Sequence, residues 1–297
     1  MGCKYDSLNN IFIEDSELIS VLPHVVWHIT SECLLNCKFC FDEKLSTSCN
    51  HQINIREIIS ILKKLGVQKI DISGGEPLLS DLLQEIVKEC IRHDIYFTLT
   101  TSGFVDERID NTNWLIKNWK LFSRVILSLD GLESKHNFLR GNAETFNAFS
   151  SLYSKLLIEK CDILRINTVI TRHLIMEENR KLFLQYITKL KPLEWCLIKP
   201  YPLNQRWSYN SLDITMCEFE DFRKCCAPDL KEAKIKLIHR NNDYYSGYWR
   251  INSAGKMKQI SRIEGCSAEI DLLKTDIEEI RQLIDKNGLK LPEDRRL

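Results

Sequence analysis

The segment Cys33-Leu-Leu-Asn-Cys37-Lys-Phe-Cys40 places three cysteines in one short stretch with CxxxCxxC spacing. Three thiolates from a single loop suit three irons of a [4Fe–4S] cubane and leave the fourth iron open to a small ligand. The same spacing suits structural zinc with His28 or His51 as fourth ligand, and it is also compatible with unligated thiols. Phe39, just before the last cysteine, can pack beside an adenine. Further on, Ile72-Ser-Gly74-Gly75-Glu76-Pro77-Leu78 combines glycines, which let a backbone approach a ligand, with a carboxylate able to pair with an ammonium group. Taken alone, that stretch is an ordinary strand-to-helix turn. Leu99-Thr100-Thr101-Ser102-Gly103, Ser128-Leu129-Asp130-Gly131 and Asn167-Thr168-Val169 add hydroxyls, a carboxylate and an amide. Such groups suit ribose oxygens, although each by itself is equally a polar strand end or a helix cap.

The elements that must position these residues alternate in type. Short β-branched runs at residues 25–30, 68–73, 95–100, 124–129, 163–170 and 194–200 read as strands. Amphipathic patterns near 53–65, 79–92, 107–120, 144–159, 177–191 and 215–226 read as helices between and after them. This succession predicts an α/β fold, a partial (β/α)6 TIM-like barrel with right-handed crossovers. Most of the chemistry-bearing segments fall at or near the C-terminal ends of predicted strands, the face on which barrels build active sites. Beyond about residue 227 short strands at 235–239, 248–252 and 256–260 precede a helix near 274–285. The expected domains are an N-terminal extension (1–24), the core barrel (25–226) and a small α+β C-terminal appendage (227–297) covering the active site.

Composition narrows the class. With 44% hydrophobic and 28% charged residues the chain has the make-up of a globular protein. Lys+Arg and Asp+Glu both total 41, which removes the global basic bias expected of a protein bound to nucleic acid polymers or membrane surfaces. No apolar run approaches the roughly 18 residues that span a bilayer, and the first ten residues lack a secretory pattern. The 12 cysteines are therefore expected in a reducing cytoplasm, as free thiols or metal ligands. Cys196, Cys217, Cys225, Cys226 and Cys266 form no CxxC pair, so a single cluster is expected. Cys3, Cys49, Cys90 and Cys161 have no ligand-like spacing either, and Cys90 and Cys161 read as packing residues.

Taken together and in order, Cys33/Cys37/Cys40 with Phe39, Gly74-Gly75-Glu76-Pro77, Thr101-Ser102, Ser128–Asp130 and Asn167–Val169 resemble the signature of the radical S-adenosylmethionine (SAM) superfamily over roughly residues 25–200. The chain departs from it at Ser102, where Asn is usual. The resemblance implies one [4Fe–4S] cluster held by Cys33, Cys37 and Cys40, with SAM on the open iron. It implies contacts to SAM from Phe39, Gly74, Gly75, Glu76, Pro77, Thr101, Ser102, Ser128, Asp130 and Asn167. Arg140-Gly141, after His136, matches a pattern that often follows SxD. Reductive cleavage of SAM would yield a 5′-deoxyadenosyl radical, with the electron supplied by a flavodoxin- or ferredoxin-like reductant. Cys266, with Tyr248 second, is the candidate hydrogen donor to a substrate radical.

Two substrate classes are compatible. A peptide or small natural product is ranked first, on compactness and on the layout of Tyr248–Lys256, which resembles a strand–turn–strand that bears cluster cysteines in relatives. The alternative is a viperin-like enzyme acting on a nucleoside triphosphate. Residues 166–170 with Arg172, followed by residues 192–195, resemble that branch, with Lys44 and Arg165 able to sit near phosphates. Solvated surface charge is the other reading of Lys44, Arg165 and Lys199, and Cys196 stands where that branch is expected to have a lysine. A third class is a non-enzymatic interaction module with zinc or a degenerate cluster, against which the intact motifs argue.

Overall fold

The computed structural model describes residues 2–6, 11–15, 22–40, 53–200, 212–240, 249–260 and 269–287. Strands in chain order are β1 (Gly2–Asp6), β2 (Ile11–Asp15), β3 (His24–His28), β4 (Lys69–Ser73), β5 (Tyr96–Thr101), β6 (Arg124–Ser128), β7 (Leu164–Val169), β8 (Glu194–Ile198), β9 (Lys236–Arg240), β10 (Trp249–Ile251), β11 (Lys256–Gln259) and β12 (Ile270–Asp271). Helices are α1 (Ile55–Lys64), α2 (Leu83–Arg92), α3 (Thr112–Asn118), α4 (Glu133–Arg140), α5 (Thr145–Ile158), α6 (Arg172–Ile175), α7 (Glu177–Leu190), α8 (Met216–Glu232) and α9 (Ile277–Asn287). No helix among the described residues is long and apolar enough to cross a membrane.

Two compact units emerge, the first comprising Met1–Glu32, Lys44–Leu99 and Asp243–Leu297. In it β3 and β4 pair in parallel, β4 and β5 likewise, and β10 joins the free side of β3, also in parallel. β11 and β12 continue antiparallel from β10. β1 and β2 form a separate antiparallel pair that no sequence pattern announces. β4 is buried along nearly its whole length, as a parallel strand covered on both faces must be. Its one inward acid, Asp71, is satisfied: Thr98 donates to Oδ1 at 2.7 Å, His24 Nε2 lies 2.9 Å from Oδ2, and Lys69 Nζ is 3.3 Å away. α1 forms because Ile55, Ile58, Ile59 and Leu62 make one apolar stripe, and Asn54 caps it by accepting from the Glu57 N–H.

The second unit comprises Cys33–Glu43 and Thr100–Asn242. Here β6, β7, β8 and β9 pair successively in parallel. The starts of β6, β7 and β8 are joined by a buried ionic group in which Arg124 Nη2 meets Glu194 Oε1 at 3.1 Å and Arg165 Nε meets Oε2 at 2.6 Å. Trp195 packs edge-on against Phe183 of α7 and Phe222 of α8, and its Nε1 donates to Thr168 Oγ1 at 2.8 Å. The sequence pattern expects a helix ending at 226, whereas α8 runs to Glu232 with Pro228 inside it. Proline removes one N–H from the helical ladder, and burial of Phe219, Phe222, Cys226 and Leu230 on one side holds the helix across that gap. α4 and α6 are additional to the predicted helices.

Candidate active site

Cys33, Cys37 and Cys40 follow β3 as partly exposed thiols not joined in disulfides. The middle of their loop is clamped by backbone bonds to the end of α4: the Asn36 N–H donates to Arg140 O at 3.2 Å and the Lys38 N–H to Leu139 O at 2.8 Å. Gly141 ends α4 with φ +73°, and a Cβ there would lie 2.7 Å from the Asn36 carbonyl oxygen, so both the turn and the clamp require glycine. Phe39 is buried against Leu139 and Leu212, and the Arg140 guanidinium carbon stands 5.2 Å from its ring centroid. Burial pushes the Cys37 thiol up, while Arg140 pulls it the other way. Among the described residues no three His, Cys, Asp or Glu side chains are gathered as a single metal ion requires. A cubane takes one thiolate per iron and asks for no such gathering.

Asp130 follows β6 and is fully buried. Its Oδ1 accepts from the Val169 N–H at 2.8 Å, and its Oδ2 accepts from Arg140 Nε at 2.7 Å and Nη2 at 2.6 Å. Burial raises the Asp130 carboxyl pKa, with Arg140 opposing it. The Asp130 N–H donates to His136 Nδ1 at 3.0 Å, which fixes the ring as the Nε2–H tautomer. The third nitrogen of Arg140, Nη1, lies 3.8 Å from Cys37 Sγ. Beside Asp130, Ser128 is paired in register with Asn167, whose Oδ1 is buried without a hydrogen-bond partner in the chain. Thr101 Oγ1 accepts from the Gly103 N–H at 2.9 Å and Ser102 Oγ from the Phe104 N–H at 3.2 Å, so both hydroxyls brace the turn after β5.

The Gly74–Pro77 turn lies in the first unit. The Gly75 N–H donates to Thr30 O and the Glu76 N–H to Glu32 O, both at 2.7 Å. A Cβ on Gly74 would sit 2.5 Å from the Thr30 carbonyl oxygen, and one on Gly75 would sit 2.1 Å from that of Glu32. The close approach that demands glycine here is therefore of backbone to backbone, in the residues leading into Cys33. Glu76 is buried, and its Oε1 accepts from the Leu78 N–H at 3.2 Å to cap the short 3-10 turn Pro77–Leu79.

Tyr248 and Cys266 lie outside the described residues, as do Lys44, Cys49 and His51. Arg165, read from the sequence as a phosphate neighbour, is buried and committed to Glu194. Lys199 is buried as well, with Nζ 3.5 Å from Asp213. The sequence reading leaves Arg140 without a role and places no helix at α4. The local signal was present, since a basic residue followed by glycine marks a helix end.

Parallel strands with helical crossovers, a three-thiol loop and polar strand ends define an α/β enzyme built around a thiolate-held cofactor. Residues 27–180 match the family model of the Radical SAM superfamily, and the chain belongs to that superfamily. It is a radical SAM enzyme, and its cofactors are SAM and a [4Fe–4S] cluster. The residues present fit them: the loop offers one thiolate for each of three irons, and Asn167 Oδ1 awaits a donor. The chain is 23% identical over 248 residues to an S-adenosylmethionine-dependent nucleotide dehydratase of Flammeovirga pacifica, covering 80% of this chain and 82% of that protein. It is 25% identical over 256 residues to another of that name from Lacinutrix mariniflava, covering 82% of this chain and 52% of that protein. Its fold matches that of Streptococcus suis SuiB bound to the precursor peptide SuiA, with TM-score 0.73, 17% identity, and coverage of 92% of this chain and 66% of that one.

Proposed function

We propose that this radical SAM enzyme acts on a nucleotide, with nucleoside triphosphates as the substrate class. The observation that carries the reading is the extent of likeness to the two nucleotide dehydratases. It covers 80% and 82% of the chain, well past the 27–180 segment that the superfamily shares. Residues outside the shared segment are where substrate choice can reside. A peptide or small natural product is the second reading, supported by the fold shared with peptide-bound SuiB.

In this reading Cys33, Cys37 and Cys40 hold the cluster. Gly74, Gly75, Glu76 and Pro77 serve the methionine end of SAM, and Phe39, Thr101, Ser102, Ser128 and Asn167 serve its adenosyl end. Asp130 acts through Arg140, since both carboxylate oxygens already have partners in the chain. A cluster and SAM held there would supply the 5′-deoxyadenosyl radical chemistry for hydrogen abstraction from the substrate. A flavodoxin- or ferredoxin-like protein supplies the electron. Cys266 and Tyr248 are the candidates for returning a hydrogen atom; normal turnover in Cys266→Ala would remove the first.

The test is anaerobic. The reconstituted enzyme is reduced with dithionite, given SAM, and offered ATP, CTP, GTP or UTP, with Cys37→Ala as control. The expected result is 5′-deoxyadenosine formation well above the SAM-only level with at least one triphosphate, absent in the control. Equal product with and without every nucleotide, from protein with a full reducible cluster, overturns the nucleotide reading.

A further inference from the structure

We propose that Arg140, locked in place by Asp130, donates a hydrogen bond to the Cys37 sulfur and thereby raises the reduction potential of the cluster. The inference rests on the reading above that Cys37 is a cluster ligand.

The guanidinium divides its fork between two partners. Nε and Nη2 both engage Asp130 Oδ2, at 2.7 and 2.6 Å, while Nη1 faces Cys37 Sγ at 3.8 Å, a distance suited to N–H···S. Asp130 cannot turn away, because its other oxygen holds the Val169 N–H and the residue is fully buried. The Arg140 main chain is fixed as well, since its carbonyl accepts from the Asn36 N–H one residue before Cys37. One flank of the guanidinium is covered by the Phe39 ring, and only 12% of the side chain is exposed. The donor is thus already oriented and largely desolvated.

Cluster reduction adds one negative charge, spread over the irons and their sulfurs. A fixed N–H dipole with cationic character at one thiolate stabilises the reduced form more than the oxidised form, and low surrounding polarity strengthens the effect. Asp130 is a positioning residue in this scheme, because its carboxylate is engaged by Arg140 and the Val169 N–H, with His136 Nδ1 3.9 Å away. Arg140 can serve a thiolate at this place because α4 ends there, next to residues 36–38.

The test compares wild type, Arg140→Gln and Arg140→Lys, each reconstituted and titrated without SAM while the EPR signal of the reduced cluster is followed. Iron and sulfide per chain are measured first, with Cys37→Ala alongside. Arg140→Gln is expected to shift the potential downward by about 59 mV or more, a tenfold smaller ratio of reduced to oxidised cluster at fixed solution potential for a one-electron couple. Arg140→Lys, which keeps the charge and loses the fork, is expected to fall between. A fully loaded Arg140→Gln at the wild-type potential overturns the proposal. If Arg140→Gln does not hold a cluster, Arg140→Lys decides, and an unchanged potential there overturns it. Cys37→Ala retaining wild-type iron and sulfide would instead overturn the ligand reading, and the proposal with it.

Discussion

Glu194→Gln probes the buried ionic group that joins the starts of β6, β7 and β8. Glu194 is wholly inside the protein, with Arg124 at 3.1 Å on one oxygen and Arg165 at 2.6 Å on the other. Burial acts to raise its pKa, yet the two guanidiniums and their hydrogen bonds outweigh it and bring the carboxyl from 4.5 to about 2. A depressed carboxyl pKa contributes stability that is fully present above the unfolded value of 4.5 and lost as pH falls toward 2. A drop of this size corresponds to about 3 kcal/mol, and removing one member of a buried ionic group generally costs about 3–5 kcal/mol. In Glu194→Gln two arginines remain buried without a counter-ion. With a urea m-value of about 3 kcal/mol/M, the pH 7 midpoint should fall by about 1 M or more. The informative assay is urea unfolding of wild type and variant from pH 7 down to pH 3, and the gap between them should narrow below pH 4.5. Equal midpoints at pH 7, or a gap that stays constant to pH 3, would refute the reasoning. By the same geometry Arg165→Lys should lower stability while leaving the KM for any nucleotide substrate unchanged.

Gly75→Ala would place a Cβ 2.1 Å from the Glu32 carbonyl oxygen, a backbone atom that cannot swing aside. It should cost about 1–3 kcal/mol and lower the iron bound per chain, measured by unfolding and metal analysis. His136 is held neutral, its pKa pushed down to about 3 by burial and then by Arg140. Its contribution to stability is full above 6.5 and is lost as pH falls toward 3, so an imidazolium seen by NMR in folded protein at pH 5 would contradict the structure. Native alkylation at pH 8 should modify the exposed Cys217 and Cys225 before Cys90, Cys161 and Cys226, whose thiols burial pushes up; peptide mass spectrometry gives the order.

The core strands were legible because each is a short β-branched run with a turn after it; the run at 124–129 became β6 almost residue for residue. α4 was not, because residues 133–140 bury only His136 and Leu139 and carry no apolar stripe. With α4 unseen, the partnership of Asp130 with Arg140 was out of reach, since it depends on where that helix ends. The pairing of Arg165 with Glu194 was equally hidden, since it depends on the register between β7 and β8. A charge read singly from sequence therefore looked available to a phosphate. The cysteine loop was legible because three thiols so close together have few alternative explanations. Glu76 and the two glycines were found by motif, but their visible work is capping and backbone packing.

These local roles bear on where substrate choice is encoded. The residues leading into Cys33 are held by Gly75 and Glu76, and the middle of the loop is held by the end of α4. In the first unit residues 75 and 76 are thus committed to the backbone of residues 30–32, in the second residues 139–140 to that of residues 36–38, and all lie in the part of the chain shared across the superfamily. A residue already engaged in holding a common cofactor loop is poorly placed to distinguish a triphosphate from a peptide. Discrimination must come from groups with polar capacity left over, and the buried strand-start charges do not qualify because Glu194 consumes them. The region beyond residue 180, including the ends of β8 and β9, lies outside that shared part. The likeness to nucleotide dehydratases covers far more of the chain than the shared segment does, and must therefore draw on residues outside it. Substitutions there should alter which substrate stimulates SAM cleavage while leaving the cluster content unchanged, and that separation is what the cofactor-loop variants cannot give.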